Sequence, residues 1–187
     1  AIADQSQGSG QSEASVAIDN NGIVTLYMSL WDTGTGASTV MRQIVAEALR
    51  VPVDDVNIQI RNTDAIDFES GPGGSRVTYT AGQAALGAAN LLRERLALLA
   101  AEYLGSQTEV VEQAEDGSFF DKDRRDASLS VKEVAARAVS ATGDPLVSDM
   151  RFSSPPSEVT SYAAQVAADD AGSKAYEMGL RTLSVQV

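Results

Sequence analysis

The chain has no cysteine and no histidine. Without cysteine there is no disulfide scaffold, no zinc ribbon, no cysteine-ligated iron–sulfur cluster and no thiol nucleophile. Without histidine there is no Ser–His–Asp triad and no imidazole metal site. Aromatic residues make up only 5%, so the core must be mostly aliphatic. No run of about 18 apolar residues occurs, so no transmembrane helix is expected. The opening AIADQSQGSGQSE has neither a basic n-region nor an apolar h-region, so it does not read as a signal peptide. It also lacks an initiating methionine, which we read as a hint of processing or of a segment cut from something longer. Basic residues are few as well: 14 against 26 acidic ones, a formal charge of −12. Such a surface repels nucleic acid phosphates and anionic lipid heads, so neither nucleic acid nor membrane is an expected partner. Either the chain is not an enzyme, or its chemistry sits in a cofactor or elsewhere in a larger protein.

What is present is ordinary for a globular protein. The 187 residues are 43% hydrophobic and 21% charged. At roughly 100–200 residues per domain this is one domain or a little more. A chain of this size buries about 68–75% of its unfolded surface, enough for a real core.

Residues 1–13 are polar, with Gly8 and Gly10, and read as a flexible leading segment. Val16 and Ile18 then alternate with Ala17, and Ile23, Thr25, Tyr27 and Ser29 alternate with Val24, Leu26, Met28 and Leu30. The Asn20-Asn21-Gly22 turn between the two runs predicts a hairpin. Val40, Ile44, Val45, Ala48 and Leu49 recur at helical spacing, with Ser38 as the expected N-cap and Pro52 past the stop. VNIQI, residues 56–60, alternates as a short strand. A loop from Asn62 to about Tyr79 leads to a long helix, AGQAALGAANLLRERLALLAAEYLG. Its small-residue face (Ala84, Ala85, Gly87, Ala88, Ala89) suits close packing on a sheet. Its leucines, Leu91, Leu92, Leu96, Leu98, Leu99 and Leu104, are dense enough to predict burial on much of its circumference. Gly105 is a natural terminator.

The tract from Ser106 to Asp126 is polar and acidic. Val110, Val111 and Ser118 to Phe120 around the Asp116-Gly117 turn suggest a small hairpin. DGSFFDKDRRD, from Asp116 to Asp126, lacks the glycine and distal glutamate of an EF-hand loop, so we read it as a solvated, charge-alternating loop. Ser130 and Glu133 form a capping box ahead of a short helix. LVSDMRF reads as a strand, and Ser153 to Pro156 as a break. TSYAAQVAA is ambiguous, Asp169 to Met178 is helix-like, and LRTLSVQV is a plausible edge strand.

Two glycine loops stand out. The first is DTGTGAST, Asp32 to Thr39, between a strand and a helix start. Its glycines permit positive φ and close backbone approach, and a helix start offers N–H groups and partial positive charge to a phosphate. The alternative is a plain strand-to-helix turn. The second is SGPGGSR, Ser70 to Arg76, again ahead of a helix. Amides at Gly73, Gly74 and Ser75 suit an anion nest, with the Arg76 guanidinium and the Ser75 hydroxyl as further donors. The alternative is a plain surface loop. If the preceding strands are parallel, both loops fall at one sheet edge. Trp31, just before the first loop, reads as a core residue or as a cover for a pocket.

At these loops the sequence resembles the molybdopterin-binding part of the large subunit of molybdenum hydroxylases, the xanthine dehydrogenase and aldehyde oxidase family. That family runs strand, G-Q-G-x-x-T loop, helix with a short L-G-x-P turn, strand, D-T-D loop, glycine-rich G-S-R segment and Ala-rich helix. The counterparts here are WDTGTGAST, VMRQIVAEALRVPVDDV, VNIQI, NTDAIDFESGPGGSR and TAGQAALGAANLLRERL, in the same order over residues 14–105. A weaker match continues through SLSVKEVAARAV, GDPL and TSYAAQVA. Thr35 stands in place of the family's glutamine, removing a two-sided amide hydrogen-bonder. Asn62 stands in place of the first aspartate of D-T-D.

The resemblance implies an α+β fold: a mixed sheet with helices on one face, a β-β-α-β-α core at 14–105, and residues 106–187 as an extension completing the same domain. It implies a segment of a larger subunit that helps to hold molybdopterin cytosine dinucleotide and its molybdenum for oxidation of aldehydes or N-heterocycles. By position, Gly34, Thr35, Gly36, Gly73, Gly74, Ser75 and Arg76 are the cofactor-binding candidates. No catalytic residue and no protein metal ligand is assigned, because the family's glutamate lies in a G-x-G-E segment absent here. The isolated segment is expected to be inactive. The implied partners are the rest of the large subunit, iron–sulfur subunits and, as a further candidate, a flavin subunit, in the cytoplasm. The other reading is a non-catalytic structural or interaction module that kept the fold and lost the cofactor.

Overall fold

A hairpin seeds the architecture. The computed structural model describes residues 10–62, 64, 65 and 69–154. Strand β1 (Gln11–Ile18) turns at Asp19 into β2 (Val24–Met28). The Asp19 carboxylate accepts the N–H groups of Asn21 and Ile23 at 2.8 and 2.9 Å, and Gly22 takes φ 81° to close the turn. Such side-chain-to-backbone bonds are why Asp opens turns. The first strand begins at Gln11, inside the stretch expected to be loose. Its outer partner accounts for this: β7 (Leu146–Ser153) pairs antiparallel with it from Gln11↔Ser153 to Ile18↔Leu146. No local signal in residues 11–13 reveals a partner some 140 positions away.

After β2 comes helix α1 (Ala37–Leu49), then β3 (Val56–Ile60), parallel to β2 with Val24 opposite Val56 and Met28 opposite Ile60. The main sheet thus has the order β3-β2-β1-β7. The expected class, α+β with a mixed sheet, is the observed one. Alternation then sorts the side chains. Val16, Ile18, Val24, Leu26, Met28 and Val56 are fully buried on one face.

Helix α2 (Val77–Leu104) lies across that face, against β1 and β7, with α1 alongside it. It starts a few residues before the Ala-rich run, so the preceding loop is shorter than its composition suggests. Small residues let helix and sheet approach: Ala81, Ala84, Ala85, Ala88 and Ala89 have no exposed surface. A β-carbon on Gly87 would lie 2.6 Å from Cγ of Met150 on β7. The leucines divide. Leu92 and Leu96 are fully buried, whereas Leu91 is 44% and Leu98 56% exposed. The expectation of burial on much of the circumference holds for the rest of α2, which the sheet, α1 and the later elements of the chain cover; Leu91 and Leu98 fall on the one stripe left to solvent, with Gln83, Glu94, Arg95 and Glu102. No helix among the described residues is long and apolar enough to cross a membrane.

The acidic tract folds into a second sheet. Strands β4 (Val111–Gln113), β5 (Phe119–Asp121) and β6 (Arg124–Leu129) pair antiparallel in that order. The expected solvated loop is therefore a hairpin in its second half. Asp121, 5% exposed, accepts from Ser106 Oγ at 2.6 Å and the Asp123 N–H at 2.8 Å, which turns the chain into β6. Helix α3 (Val131–Thr142) carries the expected capping box: Ser130 Oγ accepts the Glu133 N–H, and the Glu133 carboxylate accepts the Ser130 N–H at 2.8 Å. TSYAAQVAA, the helix-like stretch at 169–178 and LRTLSVQV lie outside the described residues.

Candidate functional site

Because β2 and β3 are parallel neighbours, their C-terminal ends share one sheet edge. The Arg61 N–H donates to the Met28 carbonyl at 2.8 Å, and Ser29 Oγ donates to the Arg61 carbonyl at 2.9 Å, tying the two strand ends together. The start of β1 and the end of β7 lie at the same edge, joined by the Gly10 N–H to Ser154 Oγ (2.8 Å) and the Ser154 N–H to the Gly10 carbonyl (2.9 Å). Both α1 and α2 begin there. Topology therefore brings the two glycine loops to one end of the molecule.

Loop one leaves β2 through Leu30, which is buried, and Trp31, which is 71% exposed. The core reading of Trp31 is thus corrected: it lies past the last paired residue of β2, where the strand leaves the sheet. Asp32 then organises the loop. Its Oδ1 accepts the N–H groups of Gly34 (2.9 Å) and Gly36 (3.2 Å), and its Oδ2 accepts that of Ser38 (3.1 Å). These bonds, Ser38 first and opposed by partial desolvation, hold the Asp32 carboxyl below the usual carboxylate range. The helix begins one residue before Ser38, and its N-cap is Gly36 in the left-handed region at φ 75° with no side-chain cap of its own. Ser38 is therefore inside α1, and the capping oxygen comes from Asp32, six positions upstream. Gly34, at φ 93°, and Gly36 face open space: a β-carbon on either would meet no atom within 4 Å.

Loop two is anchored to the start of β1. The Ser70 N–H donates to the Gln11 carbonyl (3.0 Å), and the Gln11 N–H donates to Ser70 Oγ (2.7 Å). Glu69 accepts the Gly71 N–H at 3.1 Å through Oε1 and the buried Ser12 hydroxyl through Oε2. Arg76 folds back on its own loop: Nε donates to the Gly71 carbonyl at 2.9 Å and Nη2 to that of Ser70. Its side chain thus braces the turn. Gly73, Gly74 and Ser75 are exposed at the tip, where Gly74 and Ser75 both take positive φ, 54° and 55°. Thr80 donates through N–H (2.7 Å) and Oγ1 (3.0 Å) to the Arg76 carbonyl, and Tyr79 packs edge-on against Phe152 with ring centres 5.5 Å apart. Those contacts fix the first turn of α2 against β7.

The residues that brace both loops, Asp32, Glu69, Gly10 and Ser12, were not among the candidates read from sequence. Asp32 had a signal: an aspartate two before a glycine favours an Asx-type turn. Glu69 and Ser12 had none, because their pairing spans 57 positions. A cleft of about 1270 Å³ lies elsewhere, along the outer groove between α1 and α2 and reaching Glu115 and Asp116. Among the described residues no Asp or Glu group is arranged to hold a metal ion.

A family model described as a molybdopterin cofactor-binding domain matches residues 1–180. The putative xanthine dehydrogenase molybdenum-binding subunit XdhA of Escherichia coli (strain K12) is 37% identical over 92 residues, 49% of this chain and 12% of that protein. The carbon monoxide dehydrogenase large chain of Afipia carboxidovorans is 36% identical over 91 residues, 49% of this chain and 11% of that protein. Among solved structures, a Cu,Mo-CO dehydrogenase superposes with TM-score 0.70 at 28% identity over 77% of this chain and 18% of its own. Quinoline 2-oxidoreductase from Pseudomonas putida 86 gives 0.66 at 29% identity over 77% of this chain and 19% of its own. The chain spans less than a fifth of each of these proteins.

Proposed function

This chain belongs to the molybdopterin cofactor-binding domain family, and on that premise we propose that it is one piece of a molybdenum hydroxylase large subunit, contributing part of the cofactor site. The observation that carries the reading is the convergence of two exposed glycine loops and two helix starts at the C-terminal edge of the parallel pair β2 and β3. Cofactors commonly bind at such an edge. The residues fit a ligand there: the space over Gly34, Gly36 and Gly71 is open, and each has positive φ, so the backbone can be approached closely.

In this proposal Gly34, Thr35 and Gly36 contact the cofactor from one side, and Gly73, Gly74, Ser75 and Arg76 from the other. Arg76 acts chiefly by holding loop two in shape. The cofactor is the cytosine dinucleotide form, and it supplies the redox chemistry when bound. The chain's own residues bind and orient. None of them is given a catalytic part, and the group that moves protons to or from substrate comes from the remainder of the subunit. Aldehydes or N-heterocycles are the proposed substrates of the whole enzyme. The proposed partners are the rest of the large subunit with iron–sulfur subunits and, as a further candidate, a flavin subunit, in the cytoplasm.

The test is metal and nucleotide analysis of the full-length protein expressed with an intact cofactor pathway. About one molybdenum per subunit, with CMP released by acid, is expected. Thr35→Gln, which restores an amide at an exposed position, should raise the molybdenum retained after gel filtration. A full-length protein with no molybdenum overturns the proposal. The second reading, a module that kept the fold and lost the cofactor, would then stand; Thr35 and the inward-turned Arg76 favour it.

A further inference from the structure

We propose that β7 is a docking edge for a second copy of this chain: two β7 strands pair antiparallel about a two-fold axis at Met150, and the two main sheets become one. The inference is independent of the cofactor reading, since no residue of either glycine loop takes part.

Among the described residues β7 ends the sheet order β3-β2-β1-β7. It is eight residues long, its register with β1 is unbroken, and it has neither proline nor bulge to guard it. Such an edge is a template for another strand. The Ser154 N–H points to Gly10 on the β1 side, whereas the Val147 carbonyl accepts Arg95 Nη1 at 3.3 Å from outside. Backbone groups alternate in direction along a strand, so those of Val147, Asp149, Arg151 and Ser153 face the open side. An antiparallel partner sets outward-facing residues against outward-facing residues. A two-fold at Met150 does this and places Asp149 opposite Arg151 of the second copy. The contact occurs twice, as an isologous interface requires. On the same face Arg151 meets Glu13 at 3.3 Å, and Asp149 accepts from the Ser15 hydroxyl. The row Glu13, Arg151, Asp149, Ser15 then crosses the joined sheet with its charges alternating in sign, which attracts. Other registers lose this. An axis at Asp149 or at Arg151 sets that charge against its own copy. An axis at Ser148 puts Arg151 against Pro145, which has no N–H.

A second observation, on α2, points to the same edge. Gly87 packs on Met150, and Arg95 reaches the Val147 carbonyl. Leu91 lies on that ridge, one turn from each, and is 44% exposed. It therefore overhangs the open edge. The second copy's α2, carried on the same face of the joined sheet, covers it.

The sample is the full-length protein, and its mass in solution is read by analytical ultracentrifugation. Two copies of this chain per particle are expected. Met150→Cys probes the axis directly. Residues paired there without mutual hydrogen bonds have Cα atoms about 4.5 Å apart, within reach of a disulfide. Under mild oxidation a disulfide joining position 150 of both copies is expected, identified by mass spectrometry of the linked peptides. Ser148→Cys, set opposite Phe152, is expected to give none. Asp149→Arg and Arg151→Asp each bring like charges together at both contacts and are expected to raise the dissociation constant about tenfold or more. Mixed in equal amounts, the two variants regain opposite charges and are expected to bind each other more tightly than either binds itself, a recovery that misfolded variants would not show. One copy per particle overturns the proposal, and β7 amides protected from exchange in that particle would identify a strand from the rest of the subunit as the occupant. A dimer that both charge variants leave unchanged, that mixing does not restore, or that links through 148 as well as through 150 also overturns it.

Discussion

Gly117 packs so closely on the end of α1 that a β-carbon there would overlap the Arg50 carbonyl oxygen. The junction is held from both sides. Arg50, left-handed at φ 55°, donates through its guanidinium to the Gln113 carbonyl. The Gln113 side-chain amide donates back to the carbonyls of Leu49 (2.9 Å) and Gly117 (3.1 Å). The small second sheet is thereby fastened to the helix that loop one introduces. Gly117 itself sits at φ 86°, a conformation costly for any other residue. Gly117→Ala should lower stability by about 2–4 kcal/mol, from backbone strain plus steric overlap. Urea unfolding would check it, and an unchanged midpoint would show that the junction opens freely.

The split among the leucines of α2 makes a second prediction. Leu96 is fully buried and Leu98 is 56% exposed. Leu96→Asp leaves an unpaired carboxylate in the core and costs several kcal/mol, comparable to the whole stability of a domain. Leu98→Asp should stay within about 0.5 kcal/mol of wild type. Thermal melts of the two variants, side by side, test the facing of the helix. Equal losses would mean that the outer stripe is covered.

The capping box gives a third. Ser130→Ala removes the oxygen that receives the Glu133 N–H at 3.2 Å and leaves the first turn of α3 short of a partner. A loss of about 0.5–2 kcal/mol is expected. Ser130→Asp, which keeps an acceptor, should recover most of it. The comparison is made by chemical denaturation, and no difference between Ala and Asp would contradict the cap.

Acid is the fourth. Asp32, Asp116, Asp121 and Glu133 are all held below the ordinary carboxylate values. The main causes are donors from Ser38, Ser118, Ser106 and Ser130 respectively. A carboxyl depressed in the folded state adds stability that is complete above its unfolded value and disappears as pH falls through the folded one. With ordinary values of 3.8 for aspartate and 4.5 for Glu133, the loss should begin below about pH 5 and deepen below pH 4. No histidine is present to titrate between pH 5 and 8, so the denaturation midpoint should be nearly flat there. A flat midpoint from pH 5 down to 3 would contradict the hydrogen bonds around these four groups.

Much of this protein is legible in sequence because its signals are local. The Asn-Asn-Gly turn between alternating runs specifies the first hairpin, and Ser130 with Glu133 marks the start of α3. The small face of α2 announces a flat partner, and Gly105 ends the helix. The two glycine loops and the family they resemble are likewise written in short stretches, since closeness of backbone to a ligand demands glycine in place. The lack of cysteine and histidine already moves the chemistry away from this chain's side chains.

Tertiary structure decided the rest, because the deciding partners are far apart in the chain. Gln11 to Glu13 become strand only when β7 arrives. Leu96 and Leu98 are alike in composition, and only the sheet beneath α2 separates buried from exposed. Trp31 is exposed because the strand that leads to it leaves the sheet after Met28, three residues earlier. The polar DKDRR stretch becomes β-structure when buried Asp121 finds the Ser106 hydroxyl. At the candidate site the glycines were visible in sequence, but the charges were not: folding turned Arg76 toward its own loop and set Asp32 against the amides of α1. Local spacing encodes which conformations a segment favours, while hydrogen bonds and burial between distant segments settle which groups remain for a ligand.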